Sequence, residues 1–235
     1  MPLQKNQIIT LSIERLSGDG SGVGHWEGEA VFVPGTAPGD VIRARVVKDC
    51  KRYAFGIVDA VETASPDRIP ADCPVAGPCG GCSLRHLRYQ AELQAKEAAV
   101  ADAFRRIGGL DVEVQPILPS PEVDRYRNKV QFPVGLDKNG KPCIGFYAGR
   151  SHRIVPCADC KLQPAVLNEI GHFLCGLFAQ YGIQPYDEAS GSGLMRHIFL
   201  RRGAHSGQIM VCLVCTRPRL PHAAELTAAL CARFR

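Results

Sequence analysis

The 235-residue chain is 46% apolar, enough to bury a substantial core and in keeping with one or two domains. No apolar run approaches the roughly eighteen residues needed to cross a bilayer, so a membrane span is excluded and a soluble protein is expected. Nothing at the N-terminus looks like a secretory signal and the cysteine count, 11, is odd, which together argue against a disulfide framework.

The net charge of +5 is unevenly spread: residues 1–64 carry 7 basic and 8 acidic groups, residues 65–165 carry 14 and 11, and residues 166–235 carry 7 and 4. All seven basic residues of the last segment are arginines, the side chain best suited to bidentate phosphate contacts and to stacking on bases. The balance suggests nucleic acid, although a mild positive excess is also an ordinary solubility feature.

Up to about Thr63 the chain reads as short strands divided by glycine turns. Gln7 to Ile13 alternates, Ser17 to Gly22 is a turn or loop, Ala30 to Val33 is short and apolar, Asp40 to Val47 alternates again, and Phe55 to Val61 closes the set. Short strands at regular spacing with no helix between them imply a small closed barrel, since closure removes exposed edges. Arg43, Arg45, Lys48, Lys51, Arg52 and Tyr53 would line one face or its rim; each alone is as well explained as a solvated strand position, and Lys51-Arg52-Tyr53 is the best local basic and aromatic platform for RNA. The proline-flanked stretch Ser65 to Pro70 places a domain boundary at 64/65.

Cysteine chemistry then dominates. Cys73, Cys79 and Cys82 lie within ten residues, and Gly80-Gly81 lets the backbone fold back so that the last two sulfurs can face one point. Three thiolates leave one corner of a tetrahedron empty, and Cys157 and Cys160 are the obvious suppliers. The C-x5-C-x2-C spacing resembles an iron–sulfur cradle more than paired CxxC zinc sites, with structural zinc as the rival. Cys175, Cys212 and Cys215 read as small core residues, and Cys50, Cys143 and Cys231 carry no motif.

An amphipathic helix is expected from Tyr89 to Ile107, with Leu93, Val100, Phe104 and Ile107 as its buried side and Gly108-Gly109 as its stop. Val112 to Leu118 reads as a strand, and Tyr126 to Gly135 as the next, turning at Asp137 to Gly140 into a hairpin partner at Ile144 to Tyr147. The candidate RNA contacts in this region are Arg125, Arg127, Lys129 and Gln131, with Asn128 on the opposite strand face. A second helix spans Pro164 to Tyr181, strands follow at Leu194 to Arg202 and Gln208 to Thr216, and a last helix starts at Pro221, an α+β order.

Several stretches carry a resemblance to a known family. The run Cys73-Pro-x4-Cys79-Gly-Gly-Cys82-Ser-Leu-Arg-His-Leu-Arg-Tyr89-Gln closely resembles the cluster region of the bacterial uracil-5-methyltransferases of 23S ribosomal RNA. Tyr126-Arg-Asn-Lys-Val, Gly145-Phe-Tyr-x-x-x-Ser-His-x-Ile-Val, Cys160-x-Leu-Gln and Arg196-His197 match the same pattern, while Gly18-Asp-Gly-x-Gly-Val, Glu29-Ala-Val-Phe-Val-Pro-Gly and Pro38-Gly-Asp look like a TRAM domain. The resemblance implies an OB-like TRAM β-barrel at 1–64 and an α+β central domain at 65–235 carrying a [4Fe–4S] cluster on Cys73, Cys79, Cys82 and Cys160, with Cys157 the alternative fourth ligand. It implies a cytoplasmic monomer that binds 23S ribosomal RNA, with Arg196 a further RNA contact.

Methylating uracil at carbon 5 needs a thiolate to attack carbon 6, a methyl donor and a base for the carbon-5 proton. The chain has neither a donor-binding glycine loop after an apolar strand nor the family's Ser-Cys-Asn-Pro nucleophile motif. The expectation is therefore a recognition half, inactive alone, whose S-adenosylmethionine domain and catalytic residues lie elsewhere. A stand-alone RNA-binding or zinc-structured adaptor is the alternative.

Overall fold

The computed structural model describes residues 3–234. Its backbone divides into two compact units, one made of the residues up to 72 with 82–121, the other of 73–81 with those from 122 onward.

In the first unit β1 (Ile8–Ser12), β2 (Arg15–Leu16), β3 (Gly22–Trp26), β4 (Glu29–Val33), β5 (Val41–Asp49) and β6 (Tyr53–Thr63) form one sheet in the order β1-β5-β6-β4-β3-β2. Neighbours are antiparallel except β4 and β6, which run parallel. Alternation decides the faces: Ile9 and Leu11 of β1 and Ile42, Ala44 and Val46 of β5 point inward, while Arg43 and Arg45 point out. The sheet curls until β1 comes up against β3, where a side chain at Gly24 would place its Cβ 2.5 Å from the Ser12 carbonyl oxygen. This is the small barrel that strand spacing implied, with β2 and β3 added on either side of the Ser17–Gly22 loop.

The boundary expected at 64/65 is not where the backbone separates. Segments 65–69 and 84–88 are laced to each other and to the barrel: the Ile69 amide donates to the His86 carbonyl at 2.9 Å, and the Arg88 amide to the Asp67 carbonyl at 2.9 Å. A His86 ring nitrogen lies 3.0 Å from the Thr36 carbonyl oxygen. Asp40, with a fully buried side chain, accepts from the Ala37 amide (2.7 Å), the Ser65 amide (2.8 Å) and the Arg68 guanidinium. The barrel unit therefore continues through α1 (Tyr89–Asp102).

α1 departs from expectation in what it buries. Leu93 is buried, but Val100, Phe104 and Ile107 are exposed, Ile107 by 87%. The helix widens into a π turn at Ala103–Ile107, where the Gly108 amide reaches back to the Ala103 carbonyl at 3.0 Å, so the side chains beyond Asp102 rotate out of phase with the first turns. The strand expected at Val112–Leu118 does not form. Pro116 removes a donor from it, the Ile117 amide is taken by the Glu97 carboxylate at 2.5 Å, and the Ser120 amide by the Tyr89 hydroxyl at 2.7 Å.

The second unit is a five-stranded antiparallel sheet with helices on one face. Its members are β7 (Lys129–Leu136), β8 (Pro142–Tyr147), β9 (Ile154–Pro156), α2 (Ala165–Gln180), β10 (Met195–Arg202), β11 (Ile209–Cys215) and α3 (Ala223–Arg233), with strand order β11-β10-β7-β8-β9. Val130, Phe132, Ile198 and Leu200 from the sheet meet Leu167, Ile170, Leu174 and Phe178 from α2. Gly171 permits the approach, since a Cβ there would lie 2.5 Å from Ile144 Cδ1. Cys175 belongs to this core as expected; Cys212 does not, because its place in β11 turns it to the outer face, where it is exposed. Among the described residues, no helix is long and apolar enough to cross a membrane.

The Asp40 clip supplies a stability test. Burial by itself would push its carboxyl up, but Arg68 and the two amides outweigh burial and hold it below the usual carboxylate value. Its stabilising effect is thus complete above the unfolded-state value of about 4 and lost as pH falls through the lower folded value. Asp40→Asn should cost about 3 kcal/mol at neutral pH in urea unfolding, because a buried anion's partners lose it. The single tryptophan, Trp26, packs on the barrel core and reports this unit. Wild type and variant should converge in stability as the medium is acidified below about pH 4.

Candidate metal centre and nucleic-acid interface

The cysteine loop is anchored by backbone contacts. Within residues 73–81, the Ala76 amide donates to the Cys73 carbonyl at 3.1 Å and the Cys79 amide to the Val75 carbonyl at 2.9 Å, forming two consecutive turns. Cys79 bridges to Ala148, and the Gly80 amide donates to the Tyr147 carbonyl at 3.0 Å, docking the loop beside the end of β8. A Cβ at Gly80 would stand 3.0 Å from both the Gly149 nitrogen and the Tyr147 carbonyl oxygen, so this glycine is required by the close backbone approach. Gly81 serves differently: its amide points at Cys79 Sγ from 3.4 Å, the contact that supports a thiolate.

Cys157 and Cys160 are both buried on the loop after β9. Cys157 shares its thiol hydrogen with the Cys160 sulfur; that bond, together with burial and the charges of Cys160, Cys73 and Cys79, keeps Cys157 protonated. The same hydrogen bond lowers the Cys160 pKa against the effect of burial, helped by the Leu162 amide, the Gln163 side chain and the Arg127 charge. Cys73, Cys79, Cys157 and Cys160 thus share one neighbourhood of the second unit. Cys82, the third member of the sequence trio, falls to the first unit. Among the described residues, no three Cys, His, Asp or Glu side chains converge closely enough to hold a single metal ion.

The basic residues singled out for RNA are dispersed by the fold. Lys51 sits in a left-handed turn (φ 68°), its amide bonded to Asp49 at 2.7 Å, and leads through Arg52 into Tyr53. Tyr53 packs edge-on against Phe32 and Phe55, at 5.9 and 5.6 Å between ring centroids, an aromatic trio with one exposed member. Arg43 and Arg45 both pair with Asp59, at 3.0 and 2.7 Å, and so offer less free charge than their number suggests. Arg125 is braced within the second unit: its guanidinium is held by the Asp159 carboxylate and two backbone carbonyls. Arg196 lies over the Tyr186 ring at 4.9 Å with Glu188 at 3.9 Å, and Glu188 also meets His152 at 2.6 Å.

One group does assemble. The strand register sets Lys129 opposite Arg201, and Arg201 opposite Met210; one step along, Gln131 faces Phe199, and Phe199 faces Cys212. These residues share the outer face of the sheet, opposite the α2 side, with half-buried Phe199 at its middle and Lys129, Gln131 and Arg201 exposed around it. Arg127 continues the same edge and is exposed, its guanidinium 6.0 Å from the Tyr126 ring. A base-stacking ring set among cations and an amide on an open sheet is the arrangement by which sheet-based modules hold single-stranded RNA. Sequence reading missed Phe199 and Arg201, which only the three-strand register brings beside Gln131 and Lys129.

Residues 2–58 match the TRAM domain family. That match takes in β1 to β5 and the first part of β6. A Listeria monocytogenes protein (serotype 4b, strain F2365) named as an uncharacterized RNA methyltransferase is 43% identical over 232 residues, 97% of this chain and 50% of that protein. A Halalkalibacterium halodurans protein named in the same way is 41% identical over 222 residues, 94% of this chain and 48% of its own length. Among solved structures, the Pyrococcus abyssi tRNA (uracil-54, C5)-methyltransferase, in complex with S-adenosyl-L-homocysteine, matches with a TM-score of 0.69 at 26% identity. That match covers 92% of this chain and 48% of the other. The chain spans about half the length of the curated relatives it matches.

Gly80→Ala tests the anchoring of the cysteine loop to β8. The added methyl meets backbone on both sides, and overpacking of this kind costs about 1–3 kcal/mol. Faster amide exchange is expected at residues 79–81, with the amides of α2 unchanged.

Proposed function

We infer that the chain is the RNA-recognition part of an S-adenosylmethionine-dependent RNA uracil-5-methyltransferase, with ribosomal RNA of the 23S class as its substrate. The observation that carries this reading is the likeness, over nearly the whole chain, to proteins named RNA methyltransferases, combined with a TRAM barrel. The open sheet face built on Phe199 is the second surface suited to RNA. Lys51, Arg52 and Tyr53 in the barrel and Arg127, Lys129, Gln131 and Arg201 in the second unit are the phosphate and base contacts of this reading. No residue of the chain is assigned the nucleophile, the base or the methyl-donor site.

The cysteines are proposed to hold a [4Fe–4S] cluster through Cys73, Cys79, Cys82 and Cys160, with Cys82 placed by sequence spacing alone. The fit rests on the donor set and on the amide aimed at Cys79 Sγ. When bound, the cluster would join the loop at 73–82 to the loop at 157–160 by metal–thiolate links, a structural contribution. Cys157, buried on the same loop, is the alternative fourth ligand.

The likeness to the Pyrococcus abyssi tRNA (uracil-54, C5)-methyltransferase favours a second reading of the substrate. Filter binding with 23S ribosomal RNA fragments and with tRNA, each across a salt series, separates the two. Preference for the ribosomal fragment is expected; preference for tRNA would replace it. On the preferred RNA, Phe199→Ala should weaken binding by about 1–3 kcal/mol, and Lys129→Ala with Arg201→Ala should flatten the salt slope by about 1.4. Unchanged affinity and salt slope in both variants would remove the sheet face from the interface. Protein purified without oxygen should carry about four irons and four acid-labile sulfides and absorb broadly in the visible. Colourless protein with bound zinc would overturn the cluster.

A further inference from the structure

The loop from Cys157 to Gln163 has no regular secondary structure, yet it holds two buried thiols and its carbonyl groups are taken up one after another. Arg125 Nη1 donates to the Cys160 carbonyl at 2.8 Å and to the Gln163 carbonyl at 3.0 Å. The Arg125 amide donates to the Lys161 carbonyl at 2.6 Å, and the Arg127 amide to the Leu162 carbonyl at 2.9 Å. From α2, buried Asn168 donates to the Cys160 carbonyl at 3.1 Å, and a His172 ring nitrogen lies 2.8 Å from the Ala158 carbonyl oxygen. The guanidinium itself is oriented by Asp159, through Nη1 to Oδ1 at 2.8 Å and Nη2 to Oδ2 at 2.5 Å, and Asn168 binds the same carboxylate at 2.7 Å. Gln163 completes the ring by donating to Asn168 Oδ1 at 2.6 Å.

A second feature marks Arg125. Its backbone is left-handed, with φ at 60°, a conformation that costs a non-glycine residue free energy and persists where its surroundings over-determine it. Glycine would occupy this position without strain. An arginine there is explained by what its side chain does.

We propose that Arg125 is a positioning residue that keeps the Cys157–Cys160 loop preformed as a ligand-bearing loop before any metal arrives. The purpose assigned to that loop rests on the cysteine reading above, but its rigidity can be measured without metal. Arg125→Gly is the informative variant, since it removes the guanidinium while favouring the native backbone turn. In the metal-free full chain, peptide-resolved alkylation of Cys157 and Cys160 by iodoacetamide should accelerate at least about tenfold, while Cys175 in the α2 core stays at its wild-type rate. Arg125→Lys should behave similarly, because an ammonium cannot reproduce the fork that spans Asp159 and two carbonyls. Loss of the nearby cation alone would disfavour the thiolates and slow alkylation, so an increase reports loosening.

Wild-type rates at Cys157 and Cys160 in Arg125→Gly would overturn the proposal. So would a parallel rise at Cys175, which would make Arg125 a support of the fold at large. Anaerobic reconstitution with ferrous iron and sulfide then addresses the metal reading by itself. A sulfide-to-iron charge-transfer absorbance in wild type, with iron affinity lowered about 10–100-fold in Arg125→Gly, joins the two. No such absorbance in wild type sinks the metal centre and leaves the alkylation result to decide the role of Arg125.

Discussion

Buried thiols on an irregular backbone pose a constraint that the second unit is built to meet: every carbonyl of such a loop needs a donor, and no ladder or helix supplies one. Arg125 and Asn168 provide those donors, and Asp159 fixes both. The network is charged, forked and partly buried, so its members hold one geometry where a mobile lysine would sample many. The cysteine loop at 73–81 meets the same demand by backbone pairing with Tyr147 and Ala148. Two separate devices therefore present sulfurs in one neighbourhood.

The same sheet that carries these loops does two jobs by its period of two. One face packs Phe132, Ile198 and Leu200 on α2, and the other sets out Lys129, Gln131, Phe199 and Arg201. A one-residue slip of β10 would exchange the sets and destroy both the core and the outer platform. Burial on the inner face thereby fixes the register that assembles the outer one.

In the barrel unit, the corresponding constraint is the buried carboxylate of Asp40. It draws in the amides of Ala37 and Ser65 and the guanidinium of Arg68, and so binds the chain that leaves β6 back to the barrel wall. The proline-flanked connector is a tether of this unit, and α1 follows with it. Composition suggested a linker there because proline and aspartate mark turns; the partner of that turn lies 28 residues upstream, at Asp40.

Local pattern alone determined a great deal. The alternation in β1, β5 and β7, the helical period of α2, and the Asp137–Gly140 hairpin follow from side-chain periodicity and turn chemistry, which act over a few residues. The cysteine spacing and the TRAM-like glycine pattern likewise stood in the primary chain. Tertiary structure decided the rest. It left Val100 exposed, turned Phe104 and Ile107 outward by widening the chain after Asp102, denied Val112–Leu118 a partner strand, and turned Cys212 outward. It also paired Arg125 with Asp159, 34 residues away, and gathered Phe199 and Arg201 beside Gln131 and Lys129. Each of these depends on which distant segment arrives opposite, a choice settled by summed burial and hydrogen bonding across the whole unit, to which no short window of sequence has access.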